Sequence, residues 1–338
     1  MLTLLKPYGT LEPEREQVDG LVELLGLGSA RADVRDPAFC RLLDSADLLM
    51  GDVDVRITDE LLGCAPHLRA VLCRSIGVDF VDLDAATRRG VLVVNSPSFC
   101  AVAVAEYALA LMLCAAHQIV PAYRAVRDGR WGEREGLRGI ELTGKTLGLC
   151  GFGQIGREVA RRARGLGMQT VAYDPFLGVN TLASDQTTRL LSLEDMLAAA
   201  DVVSVHVPLT DGTRGLLGRR ELARMRDGAI LINVSRGGVV EESALLDELL
   251  AGRLTAALDV LSQEPPAQEH PLNRALPNLI LTPHAAWNTR EASEKNRATF
   301  LNQLESFARG ETPIGVVNRQ VLPEWTRKWG GATAREEE

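Results

Sequence analysis

The stretch from Lys145 to Asp174, KTLGLCGFGQIGREVARRARGLGMQTVAYD, leaves this chain few choices of fold. Thr146 to Cys150 is a short apolar run and predicts a buried strand. Gly151, Gly153 and Gly156 follow in G-x-G-x-x-G spacing. Ile155, Val159, Ala160 and Ala163 then recur at helical spacing, which predicts a helix from Gln154 to Leu166. A second strand, Gln169 to Tyr173, ends in Asp174. Each part has a job. Gly151 permits the tight strand-to-helix turn, Gly153 lets a pyrophosphate approach the backbone, and Gly156 lets the helix lie close on the strand. The free N–H groups at the helix start hold phosphate. Asp174 lies 18 residues after Gly156, where a carboxylate accepts the ribose hydroxyls and repels a 2′-phosphate, so NAD is expected in preference to NADP. Arg157 sits on the helix, away from where a 2′-phosphate would lie.

Strands and helices alternate on both sides of this unit. Leu2–Lys6, Leu48–Val53, the LRAVLCR segment and Val91–Val94 read as strands before it, with helices expected at Glu12–Leu27, Pro37–Ser45, after Thr58 and after Asp82 or Asp84. Ala101–His117 is a long apolar helix, Tyr123–Asp128 continues helically, and Gly129–Thr143 reads as a polar arm. Beyond the glycine motif, strands are expected at Val202–Val207, Ala229–Asn233, Ala256–Val260 and Leu279–Thr282. Such alternation predicts α/β architecture: two doubly wound parallel-sheet domains. A long helix, Thr289–Arg309, follows the last strand and is long enough to return to the first unit. The expected division is therefore a discontinuous domain of residues 1–98 plus 288–325, an inserted domain of residues 99–287, and a disordered tail of residues 326–338.

Composition narrows the function. A net charge of −8 gives no support for nucleic-acid or acidic-membrane partners. No apolar run approaches the roughly 20 residues of a membrane span. The N-terminus lacks a basic, apolar, cleavable leader, so a cytoplasmic protein is expected. Cys40, Cys64, Cys73, Cys100, Cys114 and Cys150 form no C-x-x-C pair or His/Cys cluster, and read as buried apolar residues with no metal to bind.

Three further stretches put polar groups just past apolar strands: Asn233-Val-Ser-Arg236-Gly-Gly-Val-Val-Glu-Glu, Asp259-Val-Leu-Ser-Gln-Glu264-Pro-Pro, and Thr282-Pro283-His284-Ala-Ala-Trp287. Ligands of open α/β sheets bind at those strand ends. A guanidinium clamps a carboxylate with two hydrogen bonds. Hydride transfer from a carbinol carbon requires a base for the hydroxyl proton, and histidine is suited to it near neutral pH. A carboxylate beside that histidine stabilises imidazolium and fixes the tautomer. Arg236, His284 and Glu264 are the residue types this needs.

These motifs resemble those of the D-isomer-specific 2-hydroxyacid dehydrogenase family, over a region from about Leu48 to Asn318. The family's N-x-x-R-G-x-x-x-[DE], D-V-x-x-x-E-P and T-P-H motifs place its catalytic Arg, Glu and His at Arg236, Glu264 and His284. The resemblance implies a Rossmann NAD-binding domain inserted into a flavodoxin-like substrate domain, and interconversion of a D-2-hydroxy acid with its 2-keto acid. It further implies that Ser75, Ile76 and Gly77 offer main-chain N–H groups to the substrate carboxylate. Asp259 would meet the nicotinamide carboxamide, His206 and Pro208 the adenosine side, and Val104 the cofactor from its helix. Gln154, Ile155, Thr213 and Val234 complete the implied cofactor contacts, with Arg236 and His284. The His-Ala-Ala-Trp ending is similar to the C-terminal-binding-protein branch, and Trp287 would wall the substrate's side chain. Arg74-Ser-Ile-Gly-Val departs from that branch's R-I-G-S-G, and Cys100-Ala101 stands where polar residues are often found.

Two other readings stay open: an NAD(H)-sensing corepressor-like protein with little turnover, and the same chemistry on a phosphonate or other oxyanion. Trp287, Ile76, Val78 and Phe99 favour an apolar or aromatic substrate side chain over a sugar phosphate. His67, His117 and His270 lack motif context and read as structural or solvated, as does Lys6. Ala101–His117 reads first of all as core; the family's dimer interface uses the equivalent helix and the following arm, so a homodimer is implied, with which the apolar face of Val104, Ala108, Leu111, Met112 and Ala115 is compatible.

Overall fold

The fold is described from a computed structural model covering residues 1–7, 18, 20–26, 33, 36–51, 55–178, 185, 187–273 and 276–330. The chain divides into two compact units, Met1–Phe99 with Arg290–Glu338, and Cys100–Thr289.

The first unit is built on five parallel strands: β1 (Leu2–Lys6), β2 (Val22–Gly26), β3 (Leu48–Gly51), β4 (Ala70–Cys73) and β5 (Leu92–Val94), in the order β2-β1-β3-β4-β5. Side chains alternate across a strand, so each strand feeds two cores. Leu5, Leu49, Val71 and Val93 pack with Phe39, Leu43, Leu61, Leu62, Ala85 and Ala86 from the helices Pro37–Asp44, Asp59–Gly63 and Leu83–Arg88. Leu4, Leu48, Leu72 and Leu92 face the other way, onto Phe300, Leu304, Phe307 and Trp325. Those four belong to helices Arg290–Arg309 and Leu322–Trp329, so the two ends of the chain share one core. Asn318, 3% exposed, serves the edge of β5 as a partner strand would: its Oδ1 accepts the Val93 N–H at 2.8 Å and its Nδ2 donates to the Val91 carbonyl at 2.9 Å.

The second unit carries seven parallel strands: β6 (Thr146–Cys150), β7 (Gln169–Tyr173), β8 (Arg189–Leu190), β9 (Val202–Val205), β10 (Ile230–Asn233), β11 (Thr255–Leu258) and β12 (Leu279–Leu281). Their order is β12-β11-β10-β9-β6-β7-β8. The chain moves outward from β6 on one side through β7 and β8, then returns to β9 on the other. Ligands bind at such a switch point, at the carboxyl ends of the strands. Helix Gln154–Gly165 follows β6, and helix Ala101–Ala116 packs on it and on β10 and β11.

Three expectations need correction. Val22–Gly26 is a strand and not the end of a helix; Val22 and Leu24 are buried while Glu23 between them is exposed, a period of two. Residues 12–17, 19 and 27 of that expected helix lie outside the described residues. Thr326–Trp329 is helical and not tail, because Trp325 is 2% exposed, stacks edge-on against Phe307 at 5.6 Å and donates its Nε1–H to the Arg69 carbonyl at 3.0 Å. Residues 331–338 lie outside the described residues. Val104, Ala108, Leu111, Met112 and Ala115 are all at most 5% exposed, as the core reading of their helix expects. The exposed apolar side chains nearby are Ile119, Tyr123, Val126 and Trp131. Finally, Cys40, Cys64 and Cys114 are only partly buried, whereas Cys73, Cys100 and Cys150 are buried as expected. No single helix among the described residues is long and apolar enough to cross a membrane.

Replacing Trp325 by Ala tests the role of the C-terminal helix. Removing a buried aromatic costs about 3–5 kcal/mol, so the unfolding midpoint in urea should fall clearly. An unchanged midpoint would mean that the helix contributes nothing to the first core.

Candidate active site

The glycine motif behaves as its spacing requires. Gly151 has φ +97°, and a Cβ there would lie 2.9 Å from the His206 carbonyl. A side chain at Gly156 would overlap the Gly151 carbonyl oxygen, so helix and strand approach as closely as backbone allows. Gly153 is the opposite case: a Cβ there would meet nothing within 4 Å. Its position at the helix N-terminus therefore opens onto free space, the room a pyrophosphate needs. Asp174 braces this turn, accepting the Phe152 N–H on Oδ2 and the Phe176 N–H on Oδ1, each at 3.0 Å. A carboxylate has about four acceptor positions, so capacity remains for ribose hydroxyls.

His206 follows β9 and faces a second sign of a ligand. Its Nε2 pairs with Ser204 Oγ at 2.9 Å, while its buried Nδ1 has no hydrogen-bond partner among the described residues. Burial pushes its pKa down to about 3, so the ring is neutral. A buried polar atom without a partner costs about 1–3 kcal/mol unless a ligand or water meets it. Thr213 closes the neighbouring turn by donating its hydroxyl to the Pro208 carbonyl. Val104 and Val234 are buried, Ile155 is half-buried and Gln154 is exposed.

The chemistry-bearing residues of the second unit stand after β10, β11 and β12. Asn233, 1% exposed, ends β10; its Nδ2 donates to the Arg236 carbonyl at 2.9 Å and its Oδ1 accepts the Ser235 N–H at 3.0 Å. The Arg236 backbone is thus held, and its guanidinium donates to the Ser235 carbonyl at 2.9 Å. Asp259, also 1% exposed, follows β11; its carboxylate accepts from the Thr282 hydroxyl, the Ala285 N–H at 3.0 Å and the Ala286 N–H at 2.8 Å. The loop after β12 is therefore wrapped on Asp259, with His284 at its apex in a left-handed conformation, φ +53°.

His284 Nδ1 lies 2.6 Å from Glu264 Oε2. Glu264 is held in turn, since its Oε1 accepts the Leu261 N–H at 2.8 Å. Burial alone would raise the Glu264 pKa, but the hydrogen bond from His284, its charge, the Leu261 N–H and Arg236 together bring it below the ordinary value. Glu264 is therefore a carboxylate at neutral pH. A carboxylate only accepts, so the proton of a neutral His284 ring belongs on Nδ1 and Nε2 is left as the base. A pocket of about 400 Å³ adjoins the pair, lined by Leu261, Pro265, Asn273, Leu281 and Pro283 among others.

The sequence motifs thus converge: Arg236, Glu264 and His284 sit on successive strand ends of one sheet, with His284 and Glu264 in direct contact. In the first unit, the Ser75–Gly77 loop has its carbonyls tied back, by the Ser96 N–H, by Asn95 Nδ2 at 2.7 Å and by Ser75 Oγ at 2.6 Å. Its main-chain N–H groups are the donors it can present to an anion. Val78 is partly buried against the core that holds Leu5 and Val71, and Phe99 is 8% exposed. Trp287 is 41% exposed. Sequence reasoning misses Asn233, Thr282 and Glu242. Of the two readings left for His270, the structure takes the structural one, because its ring pairs with Glu242.

Comparison with known proteins settles the family. A model described as "D-isomer specific 2-hydroxyacid dehydrogenase, NAD binding domain" matches residues 109–286, just over half of the chain. The chain belongs to the D-isomer specific 2-hydroxyacid dehydrogenase family. Among relatives of this family, the D-3-phosphoglycerate dehydrogenase of Archaeoglobus fulgidus is 41% identical over 264 residues, covering 78% of this chain and 50% of that protein. The protein of the same name from Methanocaldococcus jannaschii is 34% identical over 314 residues, covering 93% of this chain and 59% of that one. The chain therefore spans only half to three-fifths of the length of these relatives. Among solved structures, the TT0316 protein from Thermus thermophilus superposes with a TM-score of 0.80 at 36% identity, covering 94% of this chain and all of that one. D-lactate dehydrogenase from Aquifex aeolicus, complexed with NAD and lactic acid, gives 0.82 at 27% identity, covering 91% and 96%. NAD is the cofactor that this family's domain binds, and the glycine turn, Asp174 and the unpartnered His206 nitrogen fit it.

His206 gives a pH test of the site. The unfolded imidazole takes up a proton near pH 6.5, whereas the folded one does so only near pH 3. Between those values the unfolded state binds more protons, so stability falls as pH falls, by about 1.4 kcal/mol per pH unit from this group. His206→Gln should remove that component between pH 6.5 and 5, as read by urea unfolding. Equal pH slopes in both proteins would mean that His206 protonates freely in the fold.

Proposed function

We propose that this chain interconverts a D-2-hydroxy acid and its 2-keto acid, with NAD(H) as the partner in hydride transfer. The observation that carries this reading is the 2.6 Å contact between His284 Nδ1 and Glu264 Oε2 at the strand ends that also carry Arg236. NAD, when bound, takes the hydride from the carbinol carbon or returns it to the carbonyl carbon. Arg236 clamps the substrate carboxylate with its guanidinium fork and so fixes which face of the carbon is presented. In oxidation, His284 Nε2 takes the hydroxyl proton, and the Glu264 carboxylate stabilises the imidazolium that forms. In reduction, the same imidazolium gives its Nε2 proton to the carbonyl oxygen. Asp174 favours NAD over NADP, since it offers hydrogen bonds to ribose hydroxyls and repels a phosphate.

Trp287, three residues after His284, supports a substrate with an apolar or aromatic side chain. D-3-phosphoglycerate, named for the relatives, is the competing candidate. A panel of D-3-phosphoglycerate and D-lactate with NAD, and glyoxylate and phenylpyruvate with NADH, separates them. Phenylpyruvate should have the highest kcat/KM; a preference for D-3-phosphoglycerate would overturn the apolar assignment. NADH binding with no turnover of any member would favour a cofactor-sensing protein over an enzyme.

His284→Ala should lower kcat by about 10²–10⁴-fold, the usual worth of a general base, and change the NAD dissociation constant far less. Undiminished turnover would remove His284 from the mechanism. Asp174→Ala should reduce the preference for NAD over NADP by about tenfold or more, as expected for losing charge-assisted bonds; an unmoved preference would refute the ribose assignment.

A further inference from the structure

Three hydrogen-bond donors converge on a carboxylate that takes no part in the reaction just described. Glu242 opens helix Glu242–Leu250, six residues after Arg236. Its Oε1 accepts the Ser262 main-chain N–H at 2.6 Å. Its Oε2 accepts the Ser262 hydroxyl at 2.9 Å and faces His270 Nε2 at 3.1 Å. The Leu272 N–H points at His270 Nδ1, 3.3 Å away, so Nδ1 is the acceptor and Nε2 carries the proton toward Glu242. Both side chains are largely shielded, the His270 ring 15% and Glu242 17% exposed.

The segment held this way runs from Leu261 to His270 and carries Glu264. Glu264 takes the Leu261 N–H on its own Oε1, one residue before the Ser262 that Glu242 grips. A second fastening lies next to it. A side chain at Gly237 would overlap the Leu261 carbonyl and the Ser262 nitrogen, so the backbone beside Arg236 is pressed directly on the backbone leading to Glu264. The loops after β10 and β11 are therefore fixed to each other at Gly237 and at Glu242.

We propose that Glu242 is a positioning residue for the reaction, fixing the loop from which Glu264 meets His284; this rests on the catalytic reading of that pair. The residue type matters. Both oxygens of a glutamate accept, and all three partners donate. A glutamine in its place offers one acceptor oxygen, and its amide N–H₂ faces a donor. The Leu261–His270 loop then loses part of its anchorage, and Glu264 moves relative to His284. Catalytic groups need placement within about 0.5 Å, and a displacement of about 1 Å costs up to ~10²-fold in rate. The glycine motif and Asp174 stand on other strand ends and are untouched.

The test uses the full chain with NADH and the fastest 2-keto acid of the panel above. Glu242→Gln should lower kcat by about 10–100-fold while the NAD dissociation constant stays within about twofold. In a Glu264→Gln background the same substitution should have no further effect on kcat, because the group it positions is already lost. His270→Gln, which keeps an N–H donor toward Glu242, should retain most of the turnover that His270→Ala loses. These two variants and Ser262→Ala carry the test should Glu242→Gln not fold, with thermal melting as the check on folding. If Glu264→Gln and His284→Ala leave turnover intact, the catalytic reading falls. If those two variants lose turnover but Glu242→Gln keeps it, or lowers it equally in the Glu264→Gln background, the assignment of Glu242 alone is overturned.

Discussion

The site in the second unit depends on one buried carboxylate. Asp259 gathers the Thr282 hydroxyl and the N–H groups of Ala285 and Ala286, and in doing so bends the last loop of the sheet around itself. His284 rides on that bend with a positive φ, a conformation that costs a non-glycine residue about 1–3 kcal/mol. Hydrogen bonds to a charged group contribute about 1.5–3 kcal/mol each, so three of them outweigh the strain. The imidazole is thus aimed by its backbone, and the Glu264 carboxylate has only to receive it. Asn233 does similar work for Arg236 through main-chain bonds. Arg236 and His284 are each placed by a buried polar residue that stands earlier in the chain at a strand end.

Much of this is legible in the sequence because it is local. The turn at Gly151, the helix after it and Asp174 are set within one short stretch, and their spacing is dictated by backbone sterics. Arg236, Glu264 and His284 can be named because each follows a short apolar run, and strand ends of a parallel sheet all lie on one side. What is not legible depends on contacts across sequence. Val22–Gly26 reads as helix because a short apolar run satisfies either period. Its pairing with Leu2–Lys6 decides the matter. Trp325 gives no sign in the sequence that it is core, since its partner Phe307 and its acceptor Arg69 belong to other segments. Glu242 carries no signal of a role in the sequence, because Ser262 and His270 lie 20 and 28 residues further on.

The apolar helix Ala101–Ala116 reads in the sequence first of all as core, and its burial agrees. Nine of its residues are buried, most of them on the face covered by helix Gln154–Gly165 and by the sheet, while Val102, Glu106 and Ala110 form an exposed stripe. Further exposed apolar side chains stand on the next helix and turn, Ile119–Arg127 and Trp131–Gly136, where arginines and glutamates surround them.

The interleaving of the two chain ends in one core has a consequence for synthesis. The ribosome releases β1 to β5 first, and then the whole of the second unit, before helix Arg290–Arg309 exists. Through that interval one face of the first sheet, with Leu4, Leu48, Leu72 and Leu92, lacks the side chains that will cover it. The second unit has no such wait, since the twenty-two buried residues of one of its cores among the described residues come from a single continuous stretch between Cys150 and Leu279. The order of completion therefore reverses the order of these segments: the inserted unit can close on the nascent chain, and the unit that holds β1 to β5 is the last to be finished.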